Sequence, residues 1–502
     1  MSFATLLAIS ANFAGAGLLA ASTYHVDANN GNDSNPGTSP DKAWQTIDRA
    51  NKAGLKPGDK LLFAGGQKIK GNLILAAESS GTKTAPILIS SFGKGRATID
   101  AGAGNAISLD KCKFISISNI VLLGCGRKDG SDGSGIDLQK TEDVMIDSVE
   151  ASGFRIAGVN TYADMNTRIT RVSAHDNGSA GISVCGWEKD IAKNIYIGYC
   201  TADNNAGDPK NKDNHSGNGI VVGGLVGCLI EFCEASNNGW DMPRKGNGPV
   251  GIWGWNCDKL IIQNCISHDN KSPGTDGGGF DLDGGCNNCI MQYNLSYNNV
   301  GCGYLLCQYK GAPPWKNNIV RFNISYNDGS KNMNSGIGLW EGDKGISDAH
   351  VYNNIIVNPK HAIYATHDIK GIVYRNNIFI SGSKGSLKNS KFENNLYWST
   401  DPKISFLVEG KNSTKTFDEW SKATGQEISN GKVLGIFADP KLKLPANVNL
   451  LPTDPAKLAE LPFFRPEAGS KCIGAGMKIH DNGGKDFSGK PLTSSDIGAF
   501  GK

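Results

Sequence analysis

Helical periodicity is missing from this 502-residue chain: no segment repeats its apolar residues every three to four positions over helix length. That excludes a helical bundle as the main architecture. Basic runs are missing too, and the net charge is only +3, so nothing points to nucleic acid. Thirteen cysteines are present without the paired CxxC…CxxC spacing of a zinc site; Cys286-Asn287-Asn288-Cys289 stands alone. After the first two dozen residues no stretch is apolar and long enough to span a membrane. With 39% hydrophobic and 20% charged residues, the chain is not of disordered composition either.

The N-terminus has an absence of its own, since no Lys or Arg precedes Lys42. Phe3 to Ala21 is nevertheless apolar and ends Leu19-Ala20-Ala21-Ser22, like the core and cleavage site of a secretory signal. Residues 1–22 are therefore expected to be a signal peptide, and the protein secreted or periplasmic, with the cell surface as a further location.

Glycine is abundant, at 65 residues, and asparagine recurs with a period. A small apolar block returns at Ile120, Val149, Val172, Cys200, Cys233, Cys265, Leu295, Ile324, Ile355, Ile378 and Leu396, mostly 23 to 33 residues apart. Between these blocks a second short strand recurs, as in Gly135-Ile136-Asp137-Leu138, Gly251-Ile252-Trp253-Gly254 and Gly336-Ile337-Gly338-Leu339. Each repeat reads strand, turn, strand. Such a unit cannot bury its apolar face alone, but stacked copies bury a continuous core. The predicted fold is all-β, a single-stranded right-handed parallel β-helix, with residues 107–397 as its repeats. Residues 23–106 form an N-terminal cap and first coils, with a short helix over 45–53. Residues 398–502 form a C-terminal extension packed on the solenoid, with a capping box at Thr416-Phe417-Asp418-Glu419.

The register places Ile136, Val159, Ile182, Ile220, Ile252, Phe280, Tyr304, Ile337 and Ile363 in one inward stack. Cys200, Cys233 and Cys265 are expected to stack inside as packing thiols rather than disulfides. Asn264, Asn294, Asn323, Asn354, Asn377 and Asn395 form an expected ladder at a bend. His268 occupies the coil position of His175, which argues for a hydrogen bond at a corner.

The chemistry points to one stretch, Gly277-Gly278-Gly279-Phe280-Asp281-Leu282-Asp283-Gly284-Gly285. Alternation turns Phe280 and Leu282 inward and Asp281 and Asp283 outward, about 7 Å apart at Cα. One outward column reads Asp137, Asn160, Ser183, Val221, Trp253, Asp281, Leu305, Gly338, Tyr364. The next reads Gln139, Tyr162, Cys185, Gly223, Trp255, Asp283, Cys307, Trp340, Thr366. Trp253 and Trp255 thus lie one coil from the carboxyls, and Trp340 and Glu341 two coils away on the other side. Outward indoles suit the C–H faces of sugars. Long corner insertions beside this strand carry Trp240, Arg244, Lys245, Lys271, Tyr309 and Trp315, and those residues complete the expected binding set.

The chain resembles secreted bacterial carbohydrate-active proteins with parallel β-helix repeats. The resemblance rests on Tyr24 to Asp59, the repeats from about 107 to 397, and the closing Asp496-Ile497-Gly498-Ala499. The Asp-Asp, Gly-His-Gly and Arg-Ile-Lys signatures of polygalacturonase-type hydrolases do not occur; β-helix hydrolases that use paired Asp look closer. The resemblance implies a secreted glycoside hydrolase acting on a polysaccharide or oligosaccharide, as a monomer and without a cofactor. Asp281 and Asp283 would be its general acid and base. Two alternatives stand beside it. One is a polysaccharide lyase with Ca²⁺ on Asp276, Asp281 and Asp283 and Lys271 or Lys310 as base. The other is a non-catalytic glycan-binding solenoid.

Overall fold

The computed structural model describes residues 21–187, 191–342, 345–365, 369, 371–381, 390–399 and 416–501. The expected signal peptide, apart from its last residues, and Thr366 of the second outward column lie outside them. Strand after strand pairs in parallel with the strand one coil on, from Thr23–Val26 against Lys60–Ala64 to Ile378–Ser381 against Leu396–Trp398. The fold is a parallel β-helix. Among the described residues α-helices are confined to its ends: Ile47–Ala50, shorter than the sequence suggests, and Phe417–Thr424, with the Thr416–Glu419 capping box in place.

The inward stack is as expected. Ile136 pairs with Val159, Ile182 with Ile220, Ile252 with Phe280, and Tyr304 with Ile337, and all of these are almost fully buried. Phe280 and Tyr304 stack with ring centroids 5.3 Å apart. All thirteen cysteines are free thiols, and the backbone N–H of Cys233 lies 3.5 Å from Cys265 Sγ.

Two further features differ from the sequence reading. Leu295 pairs with Ile266, not with Cys265. The repeat alignment is therefore one residue out from Leu295 onward, and a shift of one residue moves a side chain to the opposite face. Ile266, Leu295, Ile324, Ile355, Ile378 and Leu396 point away from the solenoid interior. They are buried because Leu451, Leu458, Phe464, Phe487 and Phe500 of the C-terminal segment lie over them. Tyr297 and Tyr326 fasten that segment through hydroxyls that donate to the carbonyls of Pro452 and Pro445.

The asparagine ladder excludes Asn264, whose place is taken by Cys265: the Cys265 N–H donates to Asn294 Oδ1 at 2.9 Å. From there each backbone N–H donates to the amide oxygen one coil on, through Asn323, Asn354, Asn377 and Asn395, ending on the Glu427 carboxyl. Asn264 instead has a φ of 52°, in the left-handed region asparagine tolerates. A second buried ladder at another corner runs Asn177, Asn205, Asn238, Asn270, Asn299 and ends on Asp328. Both ladders satisfy backbone groups that a tight bend would otherwise leave unpaired. His268 does sit at a corner, held between Asp269 at 2.7 Å and Glu234 at 3.0 Å and stacked on Tyr297.

Candidate active site

The first outward column is in register strand by strand, and the second is in register from Gln139 to Trp255 and again at Cys307 and Trp340. Trp253 pairs with Asp281, Asp281 with Leu305, Leu305 with Gly338, and Cys307 with Trp340. Outward does not mean solvent-exposed here. The corner insertions fold over these columns and enclose two adjoining cavities of about 670 and 610 Å³. Both are lined by His215, Asn247, Trp253, Asp283 and Tyr309, so they form one groove with a waist at those residues.

Glycine lets the aromatic lining approach. Trp255 lies across Gly223, where a Cβ would sit 2.1 Å from the indole, and Tyr309 lies across Gly284, where it would sit 2.5 Å from the ring. A side chain at either position would push the aromatic out of the groove. The loop that carries Tyr309 is held by Gln308, which donates to the Pro313 carbonyl at 2.9 Å and accepts the Gly285 N–H at 3.2 Å.

Three carboxyls line the second cavity: Asp276 from the loop wall, and Asp281 and Asp283 from the floor. Asp276 has a φ of 57° and accepts the Gly248 N–H at 2.8 Å, while Asn332 donates to its carbonyl at 2.8 Å. These bonds fix the loop against the strand. Asp283 accepts the Gly284 N–H at 2.6 Å and a hydrogen bond from the Cys307 thiol. Asp281 is 3% exposed, and its Oδ1 is buried without a hydrogen-bond partner.

The three therefore hold their protons differently. Burial raises all of them above the ordinary carboxyl range. Asp283 is the one whose anion is favoured by two donors against that burial. Burial and then the Asp283 charge push Asp276 up to about 6, against the Gly248 bond that favours its anion. Asp281 has no such donor, and burial plus the charges of Asp283 and Asp276 hold it well above the ordinary range. All three are raised by burial, Asp276 to about 6, and Asp281 is the one with no donor to offset it.

The other expected residues divide. Trp253, Trp255, Trp340, Arg244 and Tyr309 line the groove. Trp253 is not an open platform, however. It is 3% exposed, capped by the edge of His215 at 4.9 Å, and donates to Asn218 Oδ1 at 3.0 Å. Trp255, half-buried against the exposed Trp187, is the more accessible indole.

Trp315 is a correction: it lies in the solenoid core at 0% exposure and donates to the Leu282 carbonyl. Glu341 accepts the N–H groups of Gly345 and Ile346, a loop anchor rather than a groove carboxylate. Trp240 lies under the Arg127 guanidinium, and neither it nor the exposed Lys245 and Lys271 lines the groove. Lys310 is exposed and outside the lining as well. Asp276, Asp281 and Asp283 share a cavity, yet among the described residues no three His, Cys, Asp or Glu side chains converge as cation ligands.

The sequence reading missed His215. Burial and the nearby Arg244 charge lower its pKa to about 4, so it is a neutral imidazole at the waist of the groove. The 204–218 insertion was a signal for it, but not for which of its residues turns inward.

Residues 210–396 match the family described as a right handed beta helix region. A lacto-N-biosidase of Bifidobacterium longum subsp. longum is 21% identical over 592 aligned positions, covering 91% of this chain and 35% of the relative. The chain thus spans about a third of that relative's length. An alpha-1,3-galactosidase A of Akkermansia muciniphila is 38% identical over 80 residues, 16% of this chain and 13% of the relative. Among solved structures, a GH136 lacto-N-biosidase from Eubacterium ramulus superposes with a TM-score of 0.53 at 17% identity, covering 74% of this chain and 67% of that one. The likeness is one of fold: a right-handed parallel β-helix.

Proposed function

We propose that this protein is a secreted glycoside hydrolase that cleaves a terminal disaccharide or galactosyl unit from an oligosaccharide. The observation that carries the reading is the graded trio of carboxyls in a groove lined by aromatic side chains. Glycosidic cleavage needs one carboxyl that keeps its proton near neutral pH and one that has lost it. Asp283, favoured as an anion by the Gly284 N–H and the Cys307 thiol, suits the role of nucleophile or base. Asp276, titrating at about 6 and still partly open to the groove, suits the proton donor.

The sequence offered Asp281 and Asp283 as the pair without deciding which is the acid; this assignment puts Asp276 in the place of Asp281. A donor must release its proton and take one back in each cycle; Asp276 is more open to the groove than Asp281, which is 3% exposed with its Oδ1 buried. Trp255, Trp340 and Tyr309 offer flat faces for sugar rings, and His215, Arg244 and Asn247 offer polar contacts. The names of the hydrolase relatives supply the sugars to try first. The apolar N-terminal segment supports export.

The test is digestion of 4-nitrophenyl glycosides of lacto-N-biose and of α-1,3-linked digalactose, alongside a polysaccharide panel. Release of nitrophenol by the wild type and its loss in Asp283→Asn are expected. An unsaturated uronate product absorbing in the near ultraviolet would assign a lyase instead.

A further inference from the structure

Asp281 is not used by the proposed chemistry, yet its Oδ1 is buried without a partner. A buried polar atom without a partner costs the fold its desolvation, so each one calls for an explanation. Around Asp281 the wall is apolar and soft. Leu305 is its register partner on the next coil; Cys302, Cys307 and Met333 cluster with Leu305, and Cys302 Sγ lies 3.8 Å from Met333 Sδ. None of these satisfies Asp281 Oδ1. Trp253 stands on the coil before it and spends its N–H on Asn218. Asp281 nevertheless lines the cavity, and its Oδ2 is not among the buried unpaired atoms, so a group entering the cavity can reach the carboxyl from that side.

We propose that Asp281 is a substrate-orienting residue: its carboxylic acid donates a hydrogen bond to a hydroxyl oxygen of the sugar bound over Asp283 and Asp276. This rests on the hydrolase reading above. A neutral acid fits the place better than an anion, because Asp283 already carries negative charge there and the surrounding sulfurs and Leu305 cannot solvate a second one. A bound sugar supplies the cavity-facing side of the carboxyl with a partner that the free protein lacks. The buried, unpaired Oδ1 makes the position one where function is held against stability.

The proposal separates Asp281 from its neighbours through conservative and apolar replacement. In Asp281→Asn the side-chain amide still donates, so KM for the nitrophenyl lacto-N-bioside stays within about 3-fold and the pH profile keeps its shape. In Asp281→Leu the donor is gone: KM, and Kd for lacto-N-biose measured by calorimetry in an Asp283→Asn background, rise about 10- to 100-fold. Asp281→Leu leaves the melting temperature of the sugar-free protein equal or raised, because it removes the orphaned oxygen, and Asp281→Asn, which keeps a polar atom there, leaves it within ~1 °C of the wild type. Unchanged binding in Asp281→Leu, or a lowered melting temperature in both variants, would overturn the proposal in favour of a structural carboxyl. Loss of turnover in Asp281→Asn together with loss of the alkaline limb of the pH profile would make Asp281 the proton donor and overturn it too. If Asp283→Asn hydrolyses like the wild type, it is the hydrolase reading that fails. The binding and melting measurements on Asp281 still decide its own role.

Discussion

Trp253 and Asp281 are register partners on adjacent coils, so an indole stands one strand spacing from a carboxyl whose Oδ1 has no partner. That apolar neighbour, the loops above it and the carboxyls on either side decide which proton leaves first. The consequence for activity is a pH dependence with a defined sign. Hydrolysis needs Asp283 ionised and Asp276 protonated, so the rate falls as pH rises through about 6. In Asp276→Asn the rate drops about 10²- to 10⁴-fold and that alkaline limb disappears. Asp283→Asn drops at least as far. Initial rates from pH 4 to 9 check all three.

The asparagine ladder is a second test, of stability rather than activity. Asn323 donates to the Met291 carbonyl and to Asn354 Oδ1, and accepts from the backbone and side chain of Asn294. All of these groups are buried. Asn323→Ala leaves several of them unpaired and is expected to cost ~2–4 kcal/mol. Urea unfolding would show a lower midpoint with an unchanged slope.

Glu427 closes that ladder at its C-terminal end. Burial raises its pKa to about 7, although bonds from Asn395 and Tyr397 favour the anion. The folded state thus binds this proton more tightly than the unfolded chain does. Its contribution to stability is full below the ordinary carboxyl pKa and is lost as pH rises through about 7. Glu427→Gln removes the titration. The difference between melting temperatures at pH 5 and pH 8 should be smaller in the variant than in the wild type; an equal difference would refute the assignment.

The thiols give a chemical check of the fold. Cys125 is exposed and Cys185 half-buried; the other eleven are buried. Burial raises the Cys200, Cys233 and Cys286 thiols well above their ordinary range. Ellman's reagent should label Cys125 quickly in the native protein, and the buried thiols only after denaturation. Added reductant should leave the melting temperature unchanged.

Much of this was legible from residue order. Strict alternation over Phe280 to Asp283, repeated coil after coil, fixes which side chains face inward and which lie beside each other across coils. That is a local property of a strand with a two-residue period. The capping box at Thr416 is local in the same way.

The alignment slipped between Cys265 and Leu295 because both are apolar and both are buried. Alternation cannot separate a side chain buried in the solenoid from one buried under a covering segment more than 150 residues away in sequence. The corner loops posed the same difficulty. Trp315 and Tyr309 come from one insertion, and only their packing sends the first into the core and the second over the groove.

The sequence by itself determined the β-helix, its register at the site and the outward placement of Asp281 and Asp283. Only the tertiary structure decided that His215 caps Trp253, that Gly248 holds the Asp276 carboxyl in the cavity wall, and that burial and donors act differently on the three carboxyls. Register follows from the pleat of each strand. Proton affinity follows from desolvation and from donors brought in by other coils and loops, and neither exists until the chain has closed over the groove.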